Sequence, residues 1–203
     1  MLFIGITGGV GAGKSAVLNY LSEHYNCRVL LADDIAHFLM KPGSDCYETL
    51  VRLFETDNVF LENGEIDRLK MAAVLFSDES KREALNSIVH PAVKRYVMEQ
   101  YEKERMESRL DMLVLEAALL IEEHYDAICD ELWYIYTSEE NRRIRLKENR
   151  GYSDEKIDRI FQSQLSEDDF RNHCRETIDN NGTPEDSFLQ IEILMQKKKI
   201  GKK

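Results

Sequence analysis

The chain begins with a short apolar run, Leu2–Ile6, that passes straight into a glycine-rich turn and a lysine: "LFIGITGGVGAGKS". Residues 8–15 fit the spacing G-x-x-x-x-G-K-[ST], with Gly8, Gly13, Lys14 and Ser15 at the fixed positions. At average residue frequencies, a chance match in 203 residues is on the order of one in a hundred. The context strengthens it, because a strand-like run precedes the turn and a helical pattern (Val17, Leu18, Leu21) follows. Each residue type has a physical reason. Glycines let backbone N–H groups turn inward around phosphate without a Cβ in the way. The helix that follows directs its positive end at the anion. Lys14 supplies a point charge for the β- and γ-phosphates, and Ser15 a hydroxyl for Mg²⁺. Gly8, Gly9, Gly11, Ala12, Gly13, Lys14, Ser15 and Ala16 are therefore the candidate nucleotide-binding residues, and the ligand is a nucleoside triphosphate.

Composition narrows what surrounds this loop. Apolar residues make up 43% of the chain, enough for one substantial core and a small second lobe. With 38 acidic against 27 basic residues the net charge is −11, which argues against general affinity for nucleic acid or membranes. No apolar run approaches the roughly 18 residues of a membrane-spanning helix. "MLFIGI" has the character of a buried strand rather than a secretory leader, so the expected location is the cytoplasm. Cys27, Cys46, Cys129 and Cys174 are scattered without metal-ligand spacing, so neither a disulfide nor a zinc site is expected.

Short apolar runs alternate with helical patterns, as in an α/β fold built on a parallel sheet. The expected strands are Leu2–Ile6, Cys27–Leu31, Met112–Leu115, Leu132–Tyr136 and Glu176–Ile178. Between the second and third lie about eighty residues that read almost wholly as helix, far more than one crossover needs. They include Asp45–Phe54, Arg68–Phe76, Glu79–Val89 and Ala92–Ser108, with "ENGEID" as a turn and Pro91 in the first turn of the last helix. The expected division is a core of residues 1–37 and 109–196, a helical lobe of 38–108, and a basic tail of 197–203. Helix starts are expected at Ser77, Ser138, Ser153 and Thr183. The tail, "KKKIGKK", with five lysines in seven residues, reads as a frayed, solvated terminus.

Beyond the loop, "DNNG" (179–182) matches D-x-x-G but stands at the wrong end of the chain for a GTPase, and N-K-x-D is absent. The third strand ends in Glu116, which either reaches Mg²⁺ through water or caps a following helix. "NRRIRLKENRG" (141–151) is the strongly basic interior stretch, with Arg142, Arg143, Arg145, Lys147 and Arg150 spread over more than one helix face. Behind a phosphate loop, such arginines suit a lid that neutralises phosphoryl charge, with Gly151 as hinge and residues 138–152 as its extent.

These segments, in this order, resemble the dephospho-CoA kinases. "GITGGVGAGKS" is similar to that family's strand and P-loop, and "ADDIAH" to its A-D-x-x-A-[RH] segment. "IDRLKMAAVLF" followed by "LNSIVHP" resembles its helical lobe ending in His-Pro. "LEAALLIE" resembles its P-L-L-[FV]-E strand end, and "RIFQSQ" and "TIDNNGTP" its distal helix and Asn-Gly turn. The likeness spans residues 3–184. Leu31, Ala16 and Ala118 depart from common family residues, and Asn149 and Arg150 stand where the lid usually has Arg-Asp.

The resemblance implies transfer of the γ-phosphoryl of ATP, with Mg²⁺, to the ribose 3′-hydroxyl of dephospho-CoA, giving coenzyme A and ADP. It implies a P-loop kinase core with a five-stranded parallel sheet, a helical acceptor lobe and a lid, in a monomer or weak homo-oligomer. Asp33, beyond a strand end, is expected to orient the acceptor hydroxyl and take its proton. Asp34 is expected only to open a helix whose buried face is Ile35, Phe38 and Leu39, stabilising it by ~0.3–1 kcal/mol. Arg145 and Arg150 are the expected lid arginines. His37, Arg68 and His90 are either acceptor contacts or structural residues. Asn181 and Gly182 form either the adenine-side turn or a tight turn needing positive φ. Another small-molecule kinase, or a non-catalytic nucleotide-binding protein, remains the alternative.

Overall fold

Five strands form one sheet: β1 (Leu2–Thr7), β2 (Cys27–Leu31), β3 (Met112–Glu116), β4 (Glu131–Tyr136) and β5 (Glu176–Asp179), in the order β2-β3-β1-β4-β5. The computed structural model describes all residues, 1–203. β1 lies at the centre, parallel to β3 on one side and to β4 on the other, and β4 is parallel to β5. Central parallel strands are covered on both faces, which is why they read as continuous apolar runs. Met112, Leu113, Val114 and Leu115 are all fully buried, as are Phe3, Ile4 and Ile6.

Nine helices accompany the sheet. They are α1 (Lys14–His24), α2 (Ala32–Leu39), α3 (Asp45–Leu53), α4 (Arg68–Ser77), α5 (Glu79–Glu107), α6 (Glu139–Arg150), α7 (Asp154–Gln162), α8 (Glu167–His173) and α9 (Pro184–Lys197). The chain separates into two compact units, Met1–Leu30 with Glu104–Lys203, and Leu31–Lys103. The first holds nearly all of the sheet. The second begins before α2, so Asp33 and His37 belong to it rather than to the core assigned from sequence.

Within the first unit, α1 buries Val17 and Leu21 and α9 buries Ile191 and Met195. Ser138 and Ser153 cap α6 and α7, and Thr183 forms a reciprocal capping box with Asp186 at the start of α9. The lysine tail is not frayed. Lys202 bridges Tyr25 in antiparallel fashion, and Lys203 N–H donates to His24 O at 2.8 Å. Lys198 Nζ pairs with the buried Glu131 carboxylate at 2.5 Å, and Lys202 Nζ with Glu192 at 2.7 Å. The carbonyls at the end of α1 and two nearby acids give these cations fixed partners.

Within the second unit, Leu50, Phe54, Val59 and Val97 are fully buried. Three expectations change here. Ser77 closes α4, its hydroxyl donating to the Ala73 and Val74 carbonyls, and Asp78 caps the next helix by accepting from Lys81 N–H at 3.0 Å. That helix, α5, runs unbroken through Pro91 for 29 residues. An interior proline costs a helix about 3 kcal/mol, but Val89, Val93 and Val97, spaced by four, bury one face on both sides of it. Finally, Phe38 is 56% exposed, so the buried face of α2 rests on Ile35.

Candidate active site

The central strand β1 delivers residues 8–13 at its carboxyl end, where ligands of open α/β sheets bind. Gly11 and Gly13 have φ of 85° and 84°, a region that L side chains rarely enter. A Cβ on Gly8 would stand 2.6 Å from the Ile135 carbonyl oxygen of β4, so the loop packs against sheet backbone. Gly13 is the N-cap of α1, which has no side-chain cap and no acid in its first turn. By contrast α3, α4 and α6–α9 all begin with a Ser, Thr or Asp cap. The uncapped N–H groups of α1 suit an anion. Ser15 and Ala16 are exposed in that first turn.

Lys14 Nζ donates to Gly8 O at 2.9 Å and lies 3.3 Å from Glu116 Oε1. Glu116 ends β3, opposite Ile6 of β1, and turns rather than a helix follow it. Its capping role therefore falls away, and its partner is the loop lysine. The donor set fits Mg²⁺ in one way. The Ser15 hydroxyl and the Glu116 carboxylate are hard oxygen groups, and no cluster of three acidic, histidine or cysteine side chains forms a protein cage. Magnesium favours few protein ligands with phosphate oxygens and water completing its shell.

α6 brings two arginines to the loop. Arg142 Nε donates to Val10 O at 2.9 Å, and a Cβ on Gly9 would stand 2.3 Å from the Arg142 guanidinium carbon. Burial pushes the Arg142 pKa down, opposed by Tyr134 and Glu139. Arg145 Nη2 donates to Asn180 O at 2.7 Å, and Nη1 to Ala12 O at 3.3 Å. Leu146, one turn beyond Arg142, is buried and faces Gly11. Arg143 and Lys147 point elsewhere, to Asp154 and Asp158 of α7. Arg150, exposed at the end of α6, sets its guanidinium carbon 6.0 Å from the Tyr152 ring and draws that phenol's pKa down. Gly151 ends α6 in the left-handed region at φ 61°.

The Asn-Asn-Gly turn divides its work. Asn180, buried, donates from Nδ2 to Ala12 O at 2.7 Å and accepts from Ser187 Oγ at 2.8 Å. The Thr137 hydroxyl donates to the same Ala12 carbonyl at 3.0 Å. Asn181 instead accepts at Oδ1 from Ser138 N–H and from Asn141 Nδ2, both at 2.9 Å, fixing the start of α6. Gly182 is not in the positive-φ region, and a Cβ there would stand 2.6 Å from Asp186 Oδ2. Asn180, Thr137 and Arg142 complete the loop's surroundings; the sequence places Arg142 only among the basic residues of the lid stretch and gives Asn180 and Thr137 no role. The doubled asparagine and the i, i+3 spacing of Arg142 with Arg145 were the available signals.

In the second unit, Asp33 and Asp34 both lie exposed in the first turn of α2, which starts at Ala32, two residues before Asp34, the residue expected to open it. His37 and Arg68 come together on a cavity of about 340 Å³. Lys41 and Glu65 join them, and Met40, Ile66, Met71 and Leu75 supply an apolar wall. His90, half-buried in α5, is not among the lining residues.

No helix is long and apolar enough to cross a membrane. A family model described as dephospho-CoA kinase matches residues 2–186. The dephospho-CoA kinase of Symbiobacterium thermophilum is 35% identical over 192 residues, covering 95% of this chain and 79% of that protein. That of Carboxydothermus hydrogenoformans is 35% identical over 195 residues, covering 96% and 93%. A Thermus thermophilus crystal structure superposes with a TM-score of 0.77 at 29% identity, covering 97% of each chain. The Acinetobacter baumannii shikimate kinase, at TM-score 0.52 and 15% identity over 98% of this chain and 94% of that one, shares the fold alone. Strand–loop–helix geometry, paired arginines and near-complete coverage agree: the chain belongs to the dephospho-CoA kinase family.

Proposed function

We propose that this chain transfers the γ-phosphoryl group of ATP to the ribose 3′-hydroxyl of dephospho-CoA, yielding coenzyme A and ADP in the cytoplasm. The observation that carries the reading is the convergence of Lys14, Arg142 and Arg145 on one glycine loop at the end of β1. Three cations on a loop with an uncapped helix behind it suit a polyphosphate and the charge that spreads over a transferring phosphoryl group.

The loop amides and Lys14 hold the β- and γ-phosphates, and Glu116 keeps the Lys14 ammonium aimed. Arg145 braces the loop through Ala12 and the Asn180 carbonyl. The Ser15 hydroxyl would hold Mg²⁺, which when bound would supply further neutralisation of phosphate charge. Asp33 orients the 3′-hydroxyl and takes its proton as the ribose oxygen forms its bond to the γ-phosphorus. The bond from that phosphorus to the β,γ-bridging oxygen breaks, and the electron pair leaves on ADP. Little deprotonation is needed in advance in a loose transition state, so positioning is the larger part of what Asp33 contributes. His37 and Arg68, on their shared cavity, take the anionic arm of the acceptor.

A coupled ADP-release assay with dephospho-CoA, AMP, adenosine and water as acceptors tests this. Turnover only with dephospho-CoA is expected. Preference for adenosine or AMP would reassign the substrate, and rates at the water blank with all acceptors would refute the kinase activity.

A further inference from the structure

The last turn of α7 and the turn that follows it carry two residues with no part in the chemistry described so far, Phe161 and Gln164. Both face the phosphate loop through Arg142. The Arg142 guanidinium carbon sits 4.3 Å from the centroid of the Phe161 ring, a stacked cation–π arrangement. The Gln164 side-chain oxygen accepts from Val10 N–H at 3.4 Å and also from Arg142 Nη2. Arg142 Nε closes the circuit on Val10 O at 2.9 Å. The Gln164 backbone N–H is itself tied to Phe161 O at 3.3 Å, so ring and amide oxygen are presented by one turn.

Both backbone polar groups of Val10 are thereby engaged from outside the loop, the N–H of the Gly9–Val10 peptide by Gln164 and the C=O of the Val10–Gly11 peptide by Arg142. The physical consequence is that two successive peptide planes, one on each side of the Val10 Cα, are held in the middle of a glycine-rich segment that otherwise has wide conformational freedom. The arrangement also sets the guanidinium. Arg142 is half-buried and presses on the face of Gly9, where a long charged side chain needs acceptors to hold one rotamer. Gln164 suits this task better than a carboxylate. Its neutral oxygen accepts two hydrogen bonds without adding negative charge beside a phosphate site or neutralising the arginine.

We propose that Gln164 is a positioning residue for phosphoryl transfer, aiming Arg142 and holding the Gly9–Val10 peptide of the phosphate loop. The inference rests on the kinase reading of that loop, and on nothing in the acceptor lobe. Charge-assisted hydrogen bonds are the stronger class, so Gln164→Leu, which keeps the bulk and removes the acceptor, loses about tenfold to thirtyfold in kcat. KM for dephospho-CoA stays within twofold, because the change is confined to the donor side.

The deciding measurement is a double-mutant cycle on the full chain, with Gln164→Leu, Arg142→Ala and the double variant. ADP affinity by calorimetry, kcat and the melting temperature are read for each. If Gln164 acts largely through Arg142, removing it costs markedly less ADP affinity and kcat in the Arg142→Ala background than in the wild-type protein, where the loss also includes the misaimed guanidinium. Additive losses, or a Gln164→Leu protein with wild-type kcat and ADP affinity, would overturn the proposal. Should Gln164→Leu lose its folded state, Gln164→Glu replaces it in the cycle. Glutamate keeps both acceptor contacts but neutralises Arg142 as well as adding a negative charge, so ADP affinity falls by about tenfold while Arg142 is present and by clearly less in the Arg142→Ala background. An equal fall in the Arg142→Ala background counts against the proposal. The ADP measurements need no acceptor, so they separate this idea from the choice of dephospho-CoA as substrate.

Discussion

Asn180 and Ala12 stand 168 positions apart in the chain, yet the Asn180 side-chain amide donates to the Ala12 carbonyl at 2.7 Å. The same asparagine accepts from Ser187 and is buried, so the turn before α9 is anchored directly to the phosphate loop. Replacing it by alanine leaves the Ser187 hydroxyl with its weaker bond to Asp179 O, and Ala12 with Thr137 and Arg145 as donors. Asn180→Ala is expected to destabilise the protein by about 1–3 kcal/mol and to weaken ADP binding. Urea unfolding and calorimetry check the two effects. An unaltered unfolding midpoint with unaltered ADP affinity would show that the anchor is dispensable.

Lys14 and Glu116 form the second test. Lys14→Ala removes a positive charge from the phosphates and is expected to lower kcat by about 100-fold to 1,000-fold. Glu116→Gln keeps the shape and leaves Lys14 its bond to Gly8 O, so its loss is expected to be about tenfold. Steady-state kinetics at saturating ATP give both values, and equal losses would place Glu116 in the chemistry itself.

Asp33 and Asp34 occupy the same first turn but are expected to differ. Asp33→Asn loses about 100-fold or more of kcat with ADP affinity retained, whereas Asp34→Asn costs only ~0.3–1 kcal/mol of helix stability. Parallel kinetics and thermal melts of the two variants decide this, and matching catalytic losses would contradict the division.

The tail supplies a prediction about stability. Lys198 meets a buried carboxylate that also accepts from Trp133 Nε1 at 3.0 Å, with Arg175 as its remaining cation at 3.5 Å. Lys198→Met is expected to cost about 1–3 kcal/mol, lowering the melting temperature by a few degrees per kcal/mol in a chain of this size. Lys202→Met breaks an exposed pair and is expected to cost at most about 1 kcal/mol. Equal shifts in the two melting curves would mean that the burial of Glu131 has no bearing on the tail.

What the sequence determined by itself was local. The phosphate loop, the strand before it, and the caps at Ser138, Ser153 and Thr183 depend on residues a few positions apart. Spacing and residue type are therefore sufficient to read them. The choice between similar residues was decided elsewhere. Five basic residues crowd residues 142–150, and only packing against Val10 and Ala12, more than 130 positions away, selects Arg142 and Arg145 over Arg150. Adjacent asparagines are indistinguishable in composition, but one is buried under the loop and the other serves α6. Pro91 reads as a helix start until valines on both sides share one buried face, and the lysine tail reads as solvated until acids and helix-end carbonyls are placed beside it. Local signals record what the backbone prefers. Burial and long-range hydrogen bonds choose which of several equivalent side chains stands at the loop, and these exist only once the chain has folded.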